Sequence, residues 1–92
     1  MSFLNAEQRK TIKNLLDKDT AAVLSITKTK HGVYKILSIK NDQVLEFSWP
    51  EAPDNETIAF KLGVTNIIHT KQRNGGFWLN DVLIFGEEKI IN

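Results

Sequence analysis

The sequence predicts an α+β fold: a single domain over residues 1–92, with an antiparallel sheet of about five to six strands and two helices on one face, in the order α-β-β-β-α-β-β. Three observations support this prediction. An amphipathic helical pattern opens the chain, three alternating segments follow it, and an Asn-Gly hairpin signal lies near the end. Hydrophobic residues make up 41% and charged residues 25%, the composition of a folded globular protein.

The first helix is predicted to begin after Asn5 and to end near residues 17–18. Asn5 is a favourable N-cap, and Gln8 three residues later completes the pattern of a capping box. Three apolar residues fall on one face at spacings of three and four: Ile12, Leu15 and Leu16. We expect this face to be buried.

Three strands are predicted next, over residues 21–28, 33–40 and 44–49, because apolar residues in each recur at every second position. His31-Gly32 is predicted to form a two-residue turn, and residues 41–43 form the next one. These turns place Ile26 opposite Leu37 and Leu24 opposite Ile39. Six apolar side chains then share one face: Leu24, Ile26, Leu37, Ile39, Leu45 and Phe47.

Residues 56–62 are predicted to form the second helix. Asp54 or Asn55 caps its start, and Gly63 ends it because glycine adopts the left-handed conformation of a C-cap. Its buried stripe is expected to be Ile58, Ala59 and Leu62. Every second residue over 58–64 is also apolar, so a strand remains the alternative for this segment.

The last unit is predicted to be a hairpin closed by Asn74-Gly75, since both central positions of a type I′ turn need positive φ. Pairing outward from the turn places Lys71 opposite Trp78 and His69 opposite Asn80 on one face. Asp81 then falls on the apolar face. Either the strand bulges there, or Asn80-Asp81 is itself a turn.

Two segments in the second half of the chain have alternative structural interpretations. Residues 58–65 resemble the centre of a helix-turn-helix, which would make residues 66–73 a recognition helix. His69 occupies a position where that motif expects an apolar residue, and the segment runs directly into the hairpin turn, so a strand is favoured. Residues 86–92 are expected either to add a short strand through Ile90-Ile91 or to fray.

Several kinds of site are not expected from the composition. The chain has no cysteine, which argues against a disulfide framework or a zinc-thiolate site and fits a cytoplasmic protein. Its two histidines have no second metal ligand at a recognised spacing, and its strand serines lie in no nucleophile elbow. No glycine-rich phosphate loop, membrane span or signal peptide is recognisable. We therefore expect no catalytic residues, no metal and no cofactor.

Basic residues close to an aromatic residue give the strongest functional signal. The candidate nucleic-acid-binding residues lie on two hairpins: Lys28, Lys30, His31 and Lys35 on the first, and His69, Lys71, Arg73 and Trp78 on the last. Two basic hairpin tips can contact phosphates, and an exposed Trp can stack on a base. We expect a small non-enzymatic nucleic-acid-binding accessory protein, with DNA favoured over RNA.

The alternative is a protein-binding modulator or inhibitor of a host protein. The net charge of +1, from 12 basic and 11 acidic residues, does not demand an anionic partner. Tyr34 and Ile36 are expected on the outward face of the first hairpin, and Trp78 on that of the last. Such an apolar surface would be covered by a partner or by a second copy in a homodimer.

The order of elements resembles the double-wing C-terminal DNA-binding domain of the middle-gene transcription activators of T-even phages. The resemblance rests on Asn14-Leu15-Leu16-Asp17-Lys18 at the end of the first helix, Leu62-Gly63-Val64 before the last hairpin, and Arg73-Asn74-Gly75-Gly76 closing it. It covers about residues 5–85. It implies a phage-encoded protein whose saddle-shaped sheet binds DNA through strands, and it assigns no individual DNA-contacting residue.

Overall fold

A computed structural model of the protein describes residues 4–88. The predicted α+β class is confirmed, with two helices and seven strands within that range. Their bounds are α1 Ala6–Leu15, β1 Thr20–Lys28, β2 Tyr34–Lys40, β3 Gln43–Trp49, α2 Asn55–Leu62, β4 Asn66–His69, β5 Lys71–Arg73, β6 Gly76–Leu79 and β7 Val82–Gly86. The predicted strand through Ile90-Ile91 lies outside the described residues.

The strands form two sheets, whereas the sequence suggested one. The four-stranded sheet has the order β3-β2-β1-β4, and the three-stranded sheet has the order β5-β6-β7. β4 runs parallel to β1, and every other pairing is antiparallel. The chain changes sheets at Thr70, whose N–H donates to the Val23 carbonyl at 3.0 Å before β5 begins at the next residue.

The predicted register of the first three strands is wrong. Ile26 lies opposite Ile36, because the first turn has three residues between the hydrogen-bonded Thr29 and Val33. A bulge between Val23 and Ser25 shifts the pairing again, which places Ala22 opposite Ile39. A change of one residue in turn length moves a side chain to the other face of a sheet. Ile36, expected on the outward face, is buried with no exposed surface because it packs in the core that α2 covers.

The four-stranded sheet is covered on both faces, and the helices lie on opposite faces of it, so the predicted placement of both helices on one face is wrong. The first core contains α1 side chains and the inner face of the three-stranded sheet: Leu4, Ile12, Leu16, Ala22, Leu24, Ile39 and Ile84. The second core combines side chains of α2 with residues of β1 and β2 and with one residue just beyond the helix: Ala21, Val23, Ile36, Ile58, Leu62 and Val64. Because both faces are buried, apolar residues occur on both, and the alternation could not set the register.

The predicted capping box of α1 is present. Gln8 N–H donates to Asn5 Oδ1 at 2.8 Å, and Asn5 N–H donates to Gln8 Oε1 at 3.1 Å. The helix ends at Leu15, earlier than predicted, and Leu16 adopts an extended conformation. Ile12 and Leu16 are buried as expected, whereas Leu15 is 37% exposed because it points away from the core on the last helical turn.

The second helix is confirmed, so the strand alternative for residues 56–62 is removed. Asp54 accepts the Thr57 N–H at 2.7 Å, and Gly63 closes the helix in the left-handed conformation at φ 72°. Lys40 on β2 donates from Nζ to the Leu62 carbonyl at 2.6 Å, which places a positive charge at the negative end of the helix. Residues 66–73 form β4, Thr70 and β5, so the helix-turn-helix alternative is wrong.

Candidate nucleic-acid interface

The last hairpin has the predicted turn and pairing. Asn74 and Gly75 both have positive φ, 47° and 88°, and Lys71 lies opposite Trp78. Asn80-Asp81 forms a second turn, with φ of 48° and 64°, and this settles the choice between a turn and a bulge. Asp81 therefore lies in a turn, and not on an apolar strand face.

One side of this hairpin forms an open groove with a volume of about 450 Å³, which we call the β5–β6 groove. Its lining includes four of the predicted binding residues and both residues of the second turn: His69, Lys71, Arg73, Trp78, Asn80 and Asp81. Lys71 and Arg73 are two residues apart on β5 and point to the same side of the sheet. The groove thus combines two cations with an indole ring.

Arg73 is stacked on Trp78. Its guanidinium carbon lies 3.9 Å from the ring centroid, and the Trp78 indole N–H donates to the Arg73 carbonyl at 3.3 Å. Arg73 Nη2 also lies 3.4 Å from Glu88 Oε1. The guanidinium group is therefore held between an aromatic face and a carboxylate, while about half of the Arg73 side chain, 49%, stays exposed.

Gly76 leaves the space that the side chains beside this stack occupy. A Cβ at Gly76 would lie 2.5 Å from Leu83 Cδ1 and 3.1 Å from Trp78 Nε1. Both distances are shorter than an ordinary van der Waals contact, so the two side chains occupy the space that any larger residue would need. No pattern in the sequence indicates this role, because Gly76 directly follows the Asn74-Gly75 turn and resembles a turn residue.

His69 lies at the groove, but its predicted partner was wrong. It pairs with Val23 on β1 and not with Asn80, because β4 belongs to the four-stranded sheet. Its Nε2 is hydrogen-bonded to Asn55 Oδ1, 2.6 Å away, at the start of α2. This bond holds the ring between the groove and the helix.

The four candidates on the first hairpin do not line the groove. Lys28 Nζ lies 5.9 Å above the centroid of the Tyr34 ring, and Lys35 Nζ lies 3.8 Å from Glu46 Oε1. Lys30 and His31 are exposed in the turn that joins β1 to β2. The predicted binding residues therefore form two groups. One group lines the β5–β6 groove, and the other lies at the exposed end of the first hairpin.

The other side chains and helices of the described part of the chain have the following arrangement. Within residues 4–88, no group of three or more His, Cys, Asp or Glu residues lies close enough to hold a metal ion. Ser38 is buried, and its hydroxyl donates to the Leu45 carbonyl at 3.1 Å, which is a structural role. No helix in the same range is long and apolar enough to cross a membrane.

The structure shows an exposed aromatic residue that sequence reasoning missed. Phe60 is 87% exposed on α2, whereas Tyr34, expected outward, is half-buried against the second core. Ile58 and Leu62 define the buried side of the helix, and Phe60 lies midway between them, about 200° around the helix from each. An aromatic residue outside the apolar stripe is the signal that could have identified it.

The chain was compared with protein-family models, with curated proteins and with solved structures. None of the three comparisons finds a match. The resemblance to the double-wing domains therefore stays a prediction.

Proposed function

We propose that the protein is a small, cytoplasmic, non-enzymatic nucleic-acid-binding accessory protein, and that the β5–β6 groove contacts the ligand. The observation that supports this most is the arrangement of Lys71, Arg73 and Trp78 on one side of a hairpin. Two cations can neutralise phosphates, and the indole with its stacked guanidinium offers a flat surface to a base.

Two carboxylates oppose phosphate binding here: Asp81 lines the groove, and Glu88 lies beside it in contact with Arg73. Glu88 lies 3.4 Å from Arg73 Nη2, and both side chains are nearly half exposed, 43% and 49%. Ion pairs this exposed contribute little, because water and salt screen them. A phosphate can therefore replace Glu88 at a small cost and form a charge-assisted hydrogen bond to the guanidinium.

The first hairpin supplies a second, weaker contact region. Lys30 and His31 are exposed in its turn, and Lys28 is exposed beside Tyr34. Lys35 is paired with Glu46, so its charge is partly compensated. The lack of cysteine supports the cytoplasmic assignment, and the resemblance to the double-wing domains supports DNA over RNA.

The balanced charge sets the expected strength of binding. With a net charge of +1, the protein has no broad positive field to attract nucleic acid. We expect about two to four phosphate contacts, which gives a slope of log K against log salt of roughly −2 to −4 on duplex DNA. Binding of this kind is weak at physiological salt and strengthens steeply when salt is lowered.

The test is binding to labelled duplex DNA, single-stranded DNA and RNA across a salt series. Lys71→Ala and Arg73→Ala should each weaken binding about equally for all sequences and reduce the salt slope by roughly one. Lys61→Ala is the matched control, since Lys61 is an exposed cation in the last turn of α2 and does not line the groove. An unchanged slope for both groove variants would remove them from the site.

Absence of binding to all three nucleic acids at low salt would overturn the proposal. The protein-binding modulator would then be the better hypothesis, with homodimer formation as one form of it. A pull-down from host lysate with and without nuclease separates these classes, because a protein partner is retained after nuclease treatment.

A further inference from the structure

Phe60 is the most exposed large apolar side chain in the described part of the chain. It is 87% exposed, whereas the next such residue, Ile26, is 38% exposed. Scattered surface apolar residues are normal, but an aromatic ring almost wholly in water is not explained by the packing of this fold.

Phe60 borders an open cleft of about 410 Å³, together with Trp49 at the end of β3. We call it the Trp49–Phe60 cleft. Trp49 is half-buried against the second core, which holds its indole ring in place. The remaining lining residues are polar: Asp54, Glu56 and Thr57. Two aromatic rings thus share a cleft with two carboxylates.

Within residues 4–88, the carboxylates of the cleft form no ion pair with a basic side chain. The ion pairs within residues 4–88 are Lys35–Glu46 and Arg73–Glu88, so Asp54 and Glu56 are both unpaired. Asp54 accepts hydrogen bonds from the Thr57 backbone N–H and side chain, and because both donors are neutral they do not compensate its negative charge. The helix N-terminus carries a partial charge of about +0.5, which two full negative charges outweigh.

We propose that the Trp49–Phe60 cleft binds a lysine or arginine side chain of a partner protein. Aromatic faces attract cations, and the apolar stem of either side chain can lie along a ring while its charged end meets a carboxylate. Arginine is favoured, because its planar guanidinium group stacks on an indole and forms bidentate bonds to carboxylates.

The charge of the cleft decides which partner fits. A nucleic acid would bring phosphates against two carboxylates, and an acidic peptide would be repelled in the same way. A wholly apolar segment would leave both carboxylates without a counter-charge as they lose water. The proposal is independent of the groove function, because no residue lines both sites.

The chain contains two tryptophans, one in each site, which gives an internal control. The indole N–H signals of Trp49 and Trp78 can be followed by NMR and assigned with single Trp→Phe variants. The probe is an acetylated, amidated Gly-Ser-Arg-Ser-Gly peptide, and the control peptide carries uncharged citrulline in place of arginine. We expect the arginine peptide at millimolar concentration to shift the Trp49 signal and leave Trp78 unchanged.

Variants test which groups of the cleft bind the cation. Phe60→Ala should lower the affinity for the arginine peptide roughly two- to fivefold, the worth of one exposed cation–π contact. Because Phe60 is so exposed, this change should leave the fold intact. Ile26→Ala removes an exposed apolar side chain elsewhere and should leave the affinity unchanged.

Charge variants complete the test. Glu56→Gln should weaken binding and make it less sensitive to salt, and Asp54→Asn should act similarly while keeping the helix cap, since Asn caps as well as Asp. The proposal is overturned if the citrulline peptide shifts Trp49 as much as the arginine peptide does, or if no shift of Trp49 occurs. Equal affinity of the Phe60→Ala variant and the unmodified protein would also overturn it.

Discussion

Arg73 and Trp78 hold each other in place at the open side of the last hairpin. The guanidinium carbon lies 3.9 Å from the indole centroid, and the indole N–H donates to the Arg73 carbonyl at 3.3 Å. The two residues lie close because the Asn74-Gly75 turn pairs β5 with β6. A short local turn therefore positions both the cation and the aromatic surface of the candidate site.

Replacing Glu88 by Gln should strengthen nucleic-acid binding. The change removes the carboxylate that competes with phosphate for Arg73, 3.4 Å away, together with a negative charge close to the groove. An exposed pair is worth about 0.2–1 kcal/mol, so the gain should be roughly 1.5- to 5-fold at low salt. The measurement is the same salt series used for the groove variants.

Glu87→Gln is the matched control, because Glu87 is an exposed neighbour with the same charge. If both variants strengthen binding equally, net charge is responsible and the release of Arg73 is not. Weaker binding by Glu88→Gln would show that Glu88 positions Arg73 for the ligand.

Gly76→Ala should destabilise the three-stranded sheet and disturb Trp78. The added methyl group would lie 2.5 Å from Leu83 Cδ1 and 3.1 Å from Trp78 Nε1, so both side chains have to move. Leu83 Cδ1 is the end of a flexible side chain that can rotate away, so we expect a cost at the low end of the range for overpacking, about 1 kcal/mol. The free energy of unfolding and the Trp78 fluorescence, read in a Trp49→Phe background, report the two effects.

Leu83→Ala supplies the control for this clash. Combined with Gly76→Ala it opens space for the new methyl group, so the double variant should lose less stability than the sum of the two single variants. If the stability losses of the two single variants add exactly in the double variant, Leu83 is not the side chain that the new methyl group displaces.

Local signals in the sequence were sufficient for most of the elements. The capping box of Asn5 and Gln8, the Gly63 C-cap and the Asn74-Gly75 turn each depend on a few neighbouring residues, and each is confirmed. The Asn74-Gly75 turn also predicts that Lys71 pairs with Trp78. This pairing is confirmed, and it lies at the centre of the candidate groove.

The division of the strands into two sheets could not be predicted, because it depends on contacts between residues far apart in the sequence. β4 leaves the last hairpin to pair with β1, and the hydrogen bonds of Thr70 to the carbonyl of Val23 mark the division between the sheets. No pattern within residues 66–73 indicates this change. For the same reason, the first-hairpin lysines were expected to share a surface with Arg73, and the structure gives them no place in the groove.

Gln8→Ala should destabilise the junction between α1 and β7. Gln8 is 8% exposed, and its Nε2 donates to the Gly86 carbonyl at 2.9 Å while its Oε1 accepts the Asn5 N–H. The variant leaves both backbone groups without these partners, which should cost about 1–3 kcal/mol in the free energy of unfolding. Denaturant unfolding measures this loss.

Lys10→Ala on the exposed side of α1 is the control, and it should change stability by no more than about 0.5 kcal/mol. Gln8→Glu separates the two bonds, because it keeps an acceptor for the Asn5 N–H but cannot donate to Gly86 when charged. A Gln8→Ala variant as stable as the control would show that water replaces both bonds.

Asp54 should make the stability of α2 depend on pH in the acid range. Its hydrogen bonds from the Thr57 side chain and backbone N–H hold the pKa of the carboxyl below its usual value of 3.8. A carboxyl whose pKa is lower in the folded state stabilises the protein above the unfolded-state pKa. That contribution is lost as the pH falls from 3.8 through the lower folded-state value.

The test compares unfolding of the unmodified protein with that of Asp54→Asn from neutral to acid pH. Asn also accepts the Thr57 N–H but does not titrate, so the difference in stability should stay constant near neutrality and shift in favour of the variant below pH 3.8. The other carboxyl groups titrate in both proteins and cancel in this difference. Asp42→Asn, in the turn between β2 and β3, removes the same charge without touching a helix cap. Parallel stability curves for Asp54→Asn and the unmodified protein throughout the acid range would mean that the cap does not depend on the charge of Asp54.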